Sequence, residues 1–90
     1  MKLRHILVKH EYEAQDLERK LAQGSSFEDL ARTFSLCSSS KNGGSLGDLT
    51  GQMHRLDDDF RDAAELLSPG ECSKPIRTKF GYHLILRDPK

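Results

Sequence analysis

Apolar positions along the chain fall into short runs with two different periods. Leu3 to Val8 holds β-branched residues and an apolar run suited to burial, bounded by Lys9-His10, and predicts a strand. From Glu11 to Gln23 the period lengthens: Ala14, Leu17, Leu21 and Ala22 fall at helical spacing with charges between them. Gly24 closes that helix in the usual C-terminal position. Ser25-Ser26-Phe27-Glu28-Asp29 then offers two overlapping capping boxes, Ser25 with Glu28 and Ser26 with Asp29. They predict a second helix from Phe27 to about Phe34, with Phe27, Leu30, Ala31 and Phe34 inward.

Cys37 to Ser45 is Ser-rich and then Gly-rich, with room for a turn of helix broken at Gly43-Gly44. Leu46 to Leu49 reads as a short strand and Gly51 as a bend. Asp57-Asp58-Asp59 supplies an N-cap and negative charge for a helix over 58–67. Ser68-Pro69-Gly70-Glu71 is a turn. Lys74 to Thr78 is a strand that opens with Pro75, a residue tolerated at strand starts and edges. Tyr82 to Arg87 is the last strand, with Phe80-Gly81 as the turn before it. The order strand, two or three helices, strand, helix, strand, strand predicts an α+β domain over residues 1–90, one mixed or antiparallel sheet covered by a few helices.

Composition adjusts this picture modestly. A hydrophobic fraction of 36% with 31% charged residues is that of a folded domain rather than a disordered chain. Lys+Arg and Asp+Glu both number 14, and the basic residues are scattered, which argues against nucleic-acid and anionic-lipid partners. The longest apolar runs, Ile6-Leu7-Val8 and Leu84-Ile85-Leu86, are too short to span a bilayer or serve as an export signal, so a cytoplasmic monomer is expected. Cys37 and Cys72 lack ligand or redox spacing and read as reduced thiols.

Candidate chemistry centres on histidine. His5 opens the apolar run of the first strand and His83 sits inside that of the last. Each alone reads as a satisfied core residue. In neighbouring strands the two can share a network through a bridging hydroxyl, for which Thr78 is placed. Cys37 beside histidine raises a cysteine hydrolase, yet no oxyanion hole or orienting group accompanies it. Gly43-Gly44-Ser45-Leu46-Gly47 lacks phosphate-loop spacing and reads as a turn where backbones approach closely. The three aspartates have no partners at metal-ligand spacing and read as a helix cap. Met53, Phe60 and a Leu have the composition of an apolar pocket.

Together these segments resemble the parvulin-type peptidyl-prolyl cis/trans isomerases, in particular the stand-alone bacterial members. The resemblance rests on His5-Ile6-Leu7-Val8, Phe27-Glu28-Asp29-Leu30-Ala31, Ser35-Leu36-Cys37-Ser38, Gly43-Gly44-Ser45-Leu46-Gly47, Gly51-Gln52-Met53 and Phe80-Gly81-Tyr82-His83-Leu84-Ile85. It covers essentially the whole chain and implies a four-stranded antiparallel sheet surrounded by about four helices. It implies that His5, Cys37, Thr78 and His83 form the catalytic cluster and that Leu46, Met53 and Phe60 grip a proline ring, with Phe80 at the rim. The implied partner is a proline-containing polypeptide, and no cofactor or metal is implied. The non-catalytic alternative is a peptide-binding or chaperone module on the same fold.

Two departures accompany the resemblance. In the family a Phe follows the Gly-Gln-Met motif more closely than Phe60 follows Met53, which implies an insertion among His54 to Asp59, and Leu56 is the alternative pocket residue. Phosphate-selective members carry a basic loop after the first strand, whereas here Lys9-His10 runs into Glu11 and Glu13, implying no phosphoserine requirement.

Overall fold

The computed structural model describes residues 1–89. Strands β1 (Lys2–Val8), β2 (Ser45–Asp48), β3 (Ile76–Thr78) and β4 (Gly81–Arg87) pair antiparallel throughout, in the spatial order β2-β1-β4-β3. Helices α1 (Glu11–Ala22) and α2 (Phe27–Phe34) follow β1, and α3 (Asp58–Glu65) follows β2. The α+β class and the four-stranded antiparallel sheet are those expected. The remaining helical segments are 3₁₀ turns at Ser38–Asn42 and Met53–Arg55.

Local chemistry accounts for the element ends. Of the two capping boxes, Ser26 is the one used: its Oγ accepts the Asp29 N–H at 3.3 Å, and α2 starts at Phe27. Asp57 caps α3 by accepting the Asp59 N–H at 3.0 Å. That helix stops at Glu65, two residues earlier than expected. The N–H groups of Leu66 and Leu67 bond to Ala63 and Ala64, tightening the last turn, and Ser68 precedes a proline that disfavours further helix. Leu66 is left 85% exposed while Leu67 turns inward. Strand β3 is also shorter than expected, because Pro75 has no N–H for the ladder. Upstream, Ser73 completes the edge instead: its N–H reaches the Ile85 carbonyl at 2.7 Å and its Oγ accepts the Ile85 N–H at 3.0 Å.

The strand period of two divides the core between the faces of the sheet. Ile6, Val8 and Leu84 pack under α1 and α2 with Ala14, Leu17, Phe27, Leu30 and Ala31. Leu3 and Ile85 pack on the other face under α3 with Phe60, Ala64 and Leu67. Leu3, Ile6, Leu84 and Ile85 are at most 1% exposed, so the central strands are sealed on both sides. His5 and Leu7 belong to the α3 face by the same alternation. No helix among the described residues is long and apolar enough to cross a membrane.

Candidate active site

The register of the central strands brings the two histidines together. His5 stands opposite Ile85, and Leu7 opposite His83, so His5 and His83 are diagonal neighbours on the α3 face. Their Nδ1 atoms lie 3.0 Å apart, both residues are 5% exposed, and the rings stack with centroids 5.2 Å apart. Phe60, projecting from α3, sets its ring edge-on to both, at 5.5 Å from His5 and 5.2 Å from His83. Thr78 lies at the far end of this line rather than between the rings: its Oγ1 is 2.8 Å from His83 Nε2. The expected bridging hydroxyl is therefore replaced by a direct imidazole–imidazole bond, because adjacent strands already bring the rings within contact.

Satisfying every buried group selects one direction for this chain of bonds. The Phe80 N–H donates to Thr78 Oγ1 at 3.2 Å. If the Thr78 hydroxyl in turn donates to His83 Nε2, then His83 carries its proton on Nδ1 and donates to His5 Nδ1. His5 is left with a proton on Nε2, the one ring nitrogen of the pair without a partner. The opposite direction strands the Thr78 hydroxyl proton as well, so the first arrangement leaves fewer unsatisfied groups. Burial, and secondarily the neighbouring His83, lowers the His5 pKa to about 4. Burial also lowers that of His83, with the Asp57 carboxylate opposing it. Both rings are thus neutral at pH 7.

Cys37 reaches the same place from the segment after α2. The Leu36 N–H bonds to the Leu7 carbonyl at 2.8 Å and Ser35 Oγ accepts the Leu7 N–H at 3.1 Å, which ties the segment to β1. Burial works against ionisation of the Cys37 thiol, but the hydroxyl and amide groups of Ser39 and Ser38 beside it outweigh that and hold its pKa below the ordinary value. Gly44 holds the opposite side of the loop. Its carbonyl accepts the His5 N–H at 2.9 Å, its φ is +83°, and a Cβ there would stand 2.5 Å from the His5 carbonyl oxygen.

A hollow of about 310 Å³ opens over this cluster. Leu46, Leu56 and Phe60 supply apolar lining, His5, His83 and Cys37 a polar wall, and Phe80, 62% exposed, the rim. Leu7, Arg55 and Asp57 also line it. Of the expected pocket residues, Met53 does not line the hollow; it packs instead against the core beside Leu3, Phe60 and Ile85. The 3₁₀ turn at Met53–Arg55 rotates Met53 into the core and presents Leu56, the alternative, together with Phe60. Thr78 likewise lies behind the lining, in contact with His83. Arg55 was not expected in the lining, and Asp57 was expected only as a helix cap; both fall in the His54–Asp59 stretch where an insertion was expected. A larger groove of about 500 Å³ lies on the opposite face of the sheet, between α1 and the end of α2, lined by Val8, Tyr12, Leu17 and Phe34. It holds no buried titratable group, so the smaller hollow is the better candidate site.

A family model for the rotamase, PPIC-type PPIase domain matches residues 5–88. The chain belongs to this parvulin-type peptidyl-prolyl isomerase family. The chain is 44% identical over 81 residues to the foldase protein PrsA of Bacillus subtilis, which covers 90% of this chain and 27% of that protein. It is 41% identical over 87 residues to a parvulin-like PPIase of Rickettsia conorii, covering 94% of this chain and 31% of that one. The chain thus spans about a quarter to a third of the length of these curated relatives. Among solved parvulin structures, the solution structure of the Nitrosopumilus maritimus parvulin superposes with a TM-score of 0.84 at 41% identity, covering 98% of this chain and 94% of that one. Membership accounts for the fold and for the order of the motifs along the chain.

Proposed function

We propose that the hollow over His5 and His83 takes a prolyl ring and accelerates cis/trans isomerisation of Xaa–Pro bonds in unfolded or flexible polypeptides, without forming a covalent intermediate and without requiring phosphoserine. The observation that carries this reading is the juxtaposition of an apolar lining of Leu46, Leu56 and Phe60 with two neutral, mutually bonded imidazoles. Amide resonance sets a barrier of about 20 kcal/mol to rotation. The twisted transition state has lost that resonance and carries less charge separation than the planar amide. An apolar enclosure that grips the ring therefore favours the twisted form, provided the flanking chain is held. No bond to carbon or nitrogen breaks, so no nucleophile is needed. Cys37 contributes as a weakly polar wall beside the substrate carbonyl. The His5–His83–Thr78 line sets the shape and polarity of the pocket.

Independence from phosphoserine is supported by the segment after β1. The His10 N–H bonds to the Glu13 carboxylate at 3.0 Å, and the His10 ring stacks on Tyr12 at 5.2 Å. Two acidic residues, Glu11 and Glu13, occupy the first turn of α1. Both cysteines are free thiols, which supports a reducing, cytoplasmic setting. The partner in this reading is a proline-containing polypeptide, on which the protein acts as a monomer.

Catalysed exchange between the cis and trans forms of an Ala-Leu-Pro-Phe-type peptide, followed by NMR exchange spectroscopy, tests the proposal. Binding without accelerated exchange would leave a non-catalytic peptide module in its place. Cys37→Ala and Cys37→Asp in the same assay assign the thiol, and full activity in both would remove any special role for it.

A further inference from the structure

Arg55 is the one cationic residue lining the hollow, and it is exposed. Among the described residues it takes part in no ion pair, like Arg77 and Arg87, whereas Arg4, Arg19, Arg32 and Arg61 each have a carboxylate within 4.0 Å. Asp57, the anionic residue of the same lining, is engaged elsewhere, since it accepts the Asp59 N–H that starts α3. Asp58 beyond it is paired with Arg61 at 2.9 Å. Arg55 thus lines the hollow with no carboxylate paired to it among the described residues. Lys79 adds a second cation at the rim, 5.2 Å from the centre of the Phe80 ring. Position matters as much as charge. Arg55 closes the 3₁₀ turn that brings Leu56 into the hollow, so it stands beside the apolar lining and a bound ring would carry its neighbouring residue past it.

We propose that Arg55 is a specificity-determining residue that favours substrates with a carboxylate side chain immediately beside the proline, in Glu-Pro, Asp-Pro or Pro-Glu segments. The proposal rests on the isomerase reading above. A planar guanidinium matches a carboxylate with two parallel N–H donors. At a partly solvated rim such a contact is worth a small factor, not an on–off switch. Exposed pairs of this kind correspond to about a two- to five-fold preference, weakened by salt. Phosphate offers the same anionic chemistry, and the peptides below separate the two sources.

The test compares kcat/KM for matched peptides carrying Glu, Ala, Lys or phosphoserine beside the proline, by NMR exchange, at low and high salt, in the unaltered protein and in Arg55→Gln, Arg55→Glu and Arg55→Lys. The readout is the ratio of the Glu to the Ala peptide within each protein, so a general change in activity cancels. The expected ratio in the unaltered protein is about two to five, smaller but above one in Arg55→Lys, near one in Arg55→Gln, inverted in Arg55→Glu, and reduced at high salt. Phosphoserine should behave like Glu to within a few-fold. A ratio near one with the Ala peptide still turned over overturns the role of Arg55 and leaves the isomerase reading standing. No exchange on any peptide sinks the isomerase reading itself. A phosphoserine peptide far above a Glu peptide that is no better than Ala replaces the carboxylate with phosphate and refutes the proposal as stated.

Discussion

Acidification should destabilise this domain through His5 before the carboxylates contribute. In the fold the ring must stay neutral: its pKa falls from 6.5 to about 4, mainly through burial. The unfolded chain therefore binds a proton that the folded one refuses between those two values, and stability falls as pH drops through that window. At pH 7 both states are neutral and nothing is lost. By pH 4 the penalty is nearly complete, and a shift of this size corresponds to roughly 3 kcal/mol. Burial of His83 acts with the same sign. Structure gives the penalty a second source. The 3.0 Å contact between the Nδ1 atoms needs one N–H and one lone pair, and an imidazolium at His5 has only donors to offer. For a chain of this length, total stability is on the order of 5–13 kcal/mol, so such a loss is a large fraction. Urea unfolding at intervals between about pH 7.5 and pH 4.5 should show the midpoint falling by roughly 1–3 M. In His5→Gln, which is less stable at the outset, that fall should shrink to the part due to His83. An equally steep pH dependence in His5→Gln would show that His5 is not the group being protonated and refute the reasoning.

Other consequences are checked as directly. Phe60→Ala removes the ring packed edge-on against both histidines and should cost about 3–5 kcal/mol in chemical denaturation; a loss below about 1 kcal/mol would mean that the ring is not part of the core. Gly44→Ala forces a Cβ to within 2.5 Å of the His5 carbonyl at a positive φ and should cost on the order of 1–3 kcal/mol while disturbing the His5 resonances, whereas an unchanged melting temperature and spectrum would contradict the close approach. Long-range ¹⁵N–¹H spectra should find His83 protonated on Nδ1 and His5 on Nε2; the reverse pair of tautomers would overturn the bond direction derived from Thr78.

The parts of this architecture legible in the residues are those governed by local periodicity. Phe27, Leu30 and Ala31 after a Ser cap predict α2 over its observed span, since cap and apolar face agree, whereas Phe34, expected inward, is 41% exposed at the end of the helix. The apolar runs in Leu3–Val8 and Tyr82–Arg87 predict the central strands and put a histidine in each. What escaped depends on pairing and on very short elements. Three residues, Met53–Arg55, are too few to display a period, so the turn that removes Met53 from the lining and supplies Leu56 and Arg55 had no pattern to betray it. The place of Thr78 follows from the β3–β4 register, which pairs Thr78 with Gly81 and is set by a tight turn rather than by hydrophobicity. Gly44 is intermediate: its need for an open backbone was readable, but the carbonyl it approaches was not.

Neighbouring residues of β1 serve opposite sides of the sheet, with His5 under α3 and Ile6 under the other two helices. A strand displaced by one position would thrust Ile6 toward Thr78 and bury an imidazole among leucines. The bonded ring pair is therefore a built-in report of correct alignment, present only in molecules whose middle strands have mated in step. Its distinctive proton resonance, followed during refolding, would time that event from inside the hollow.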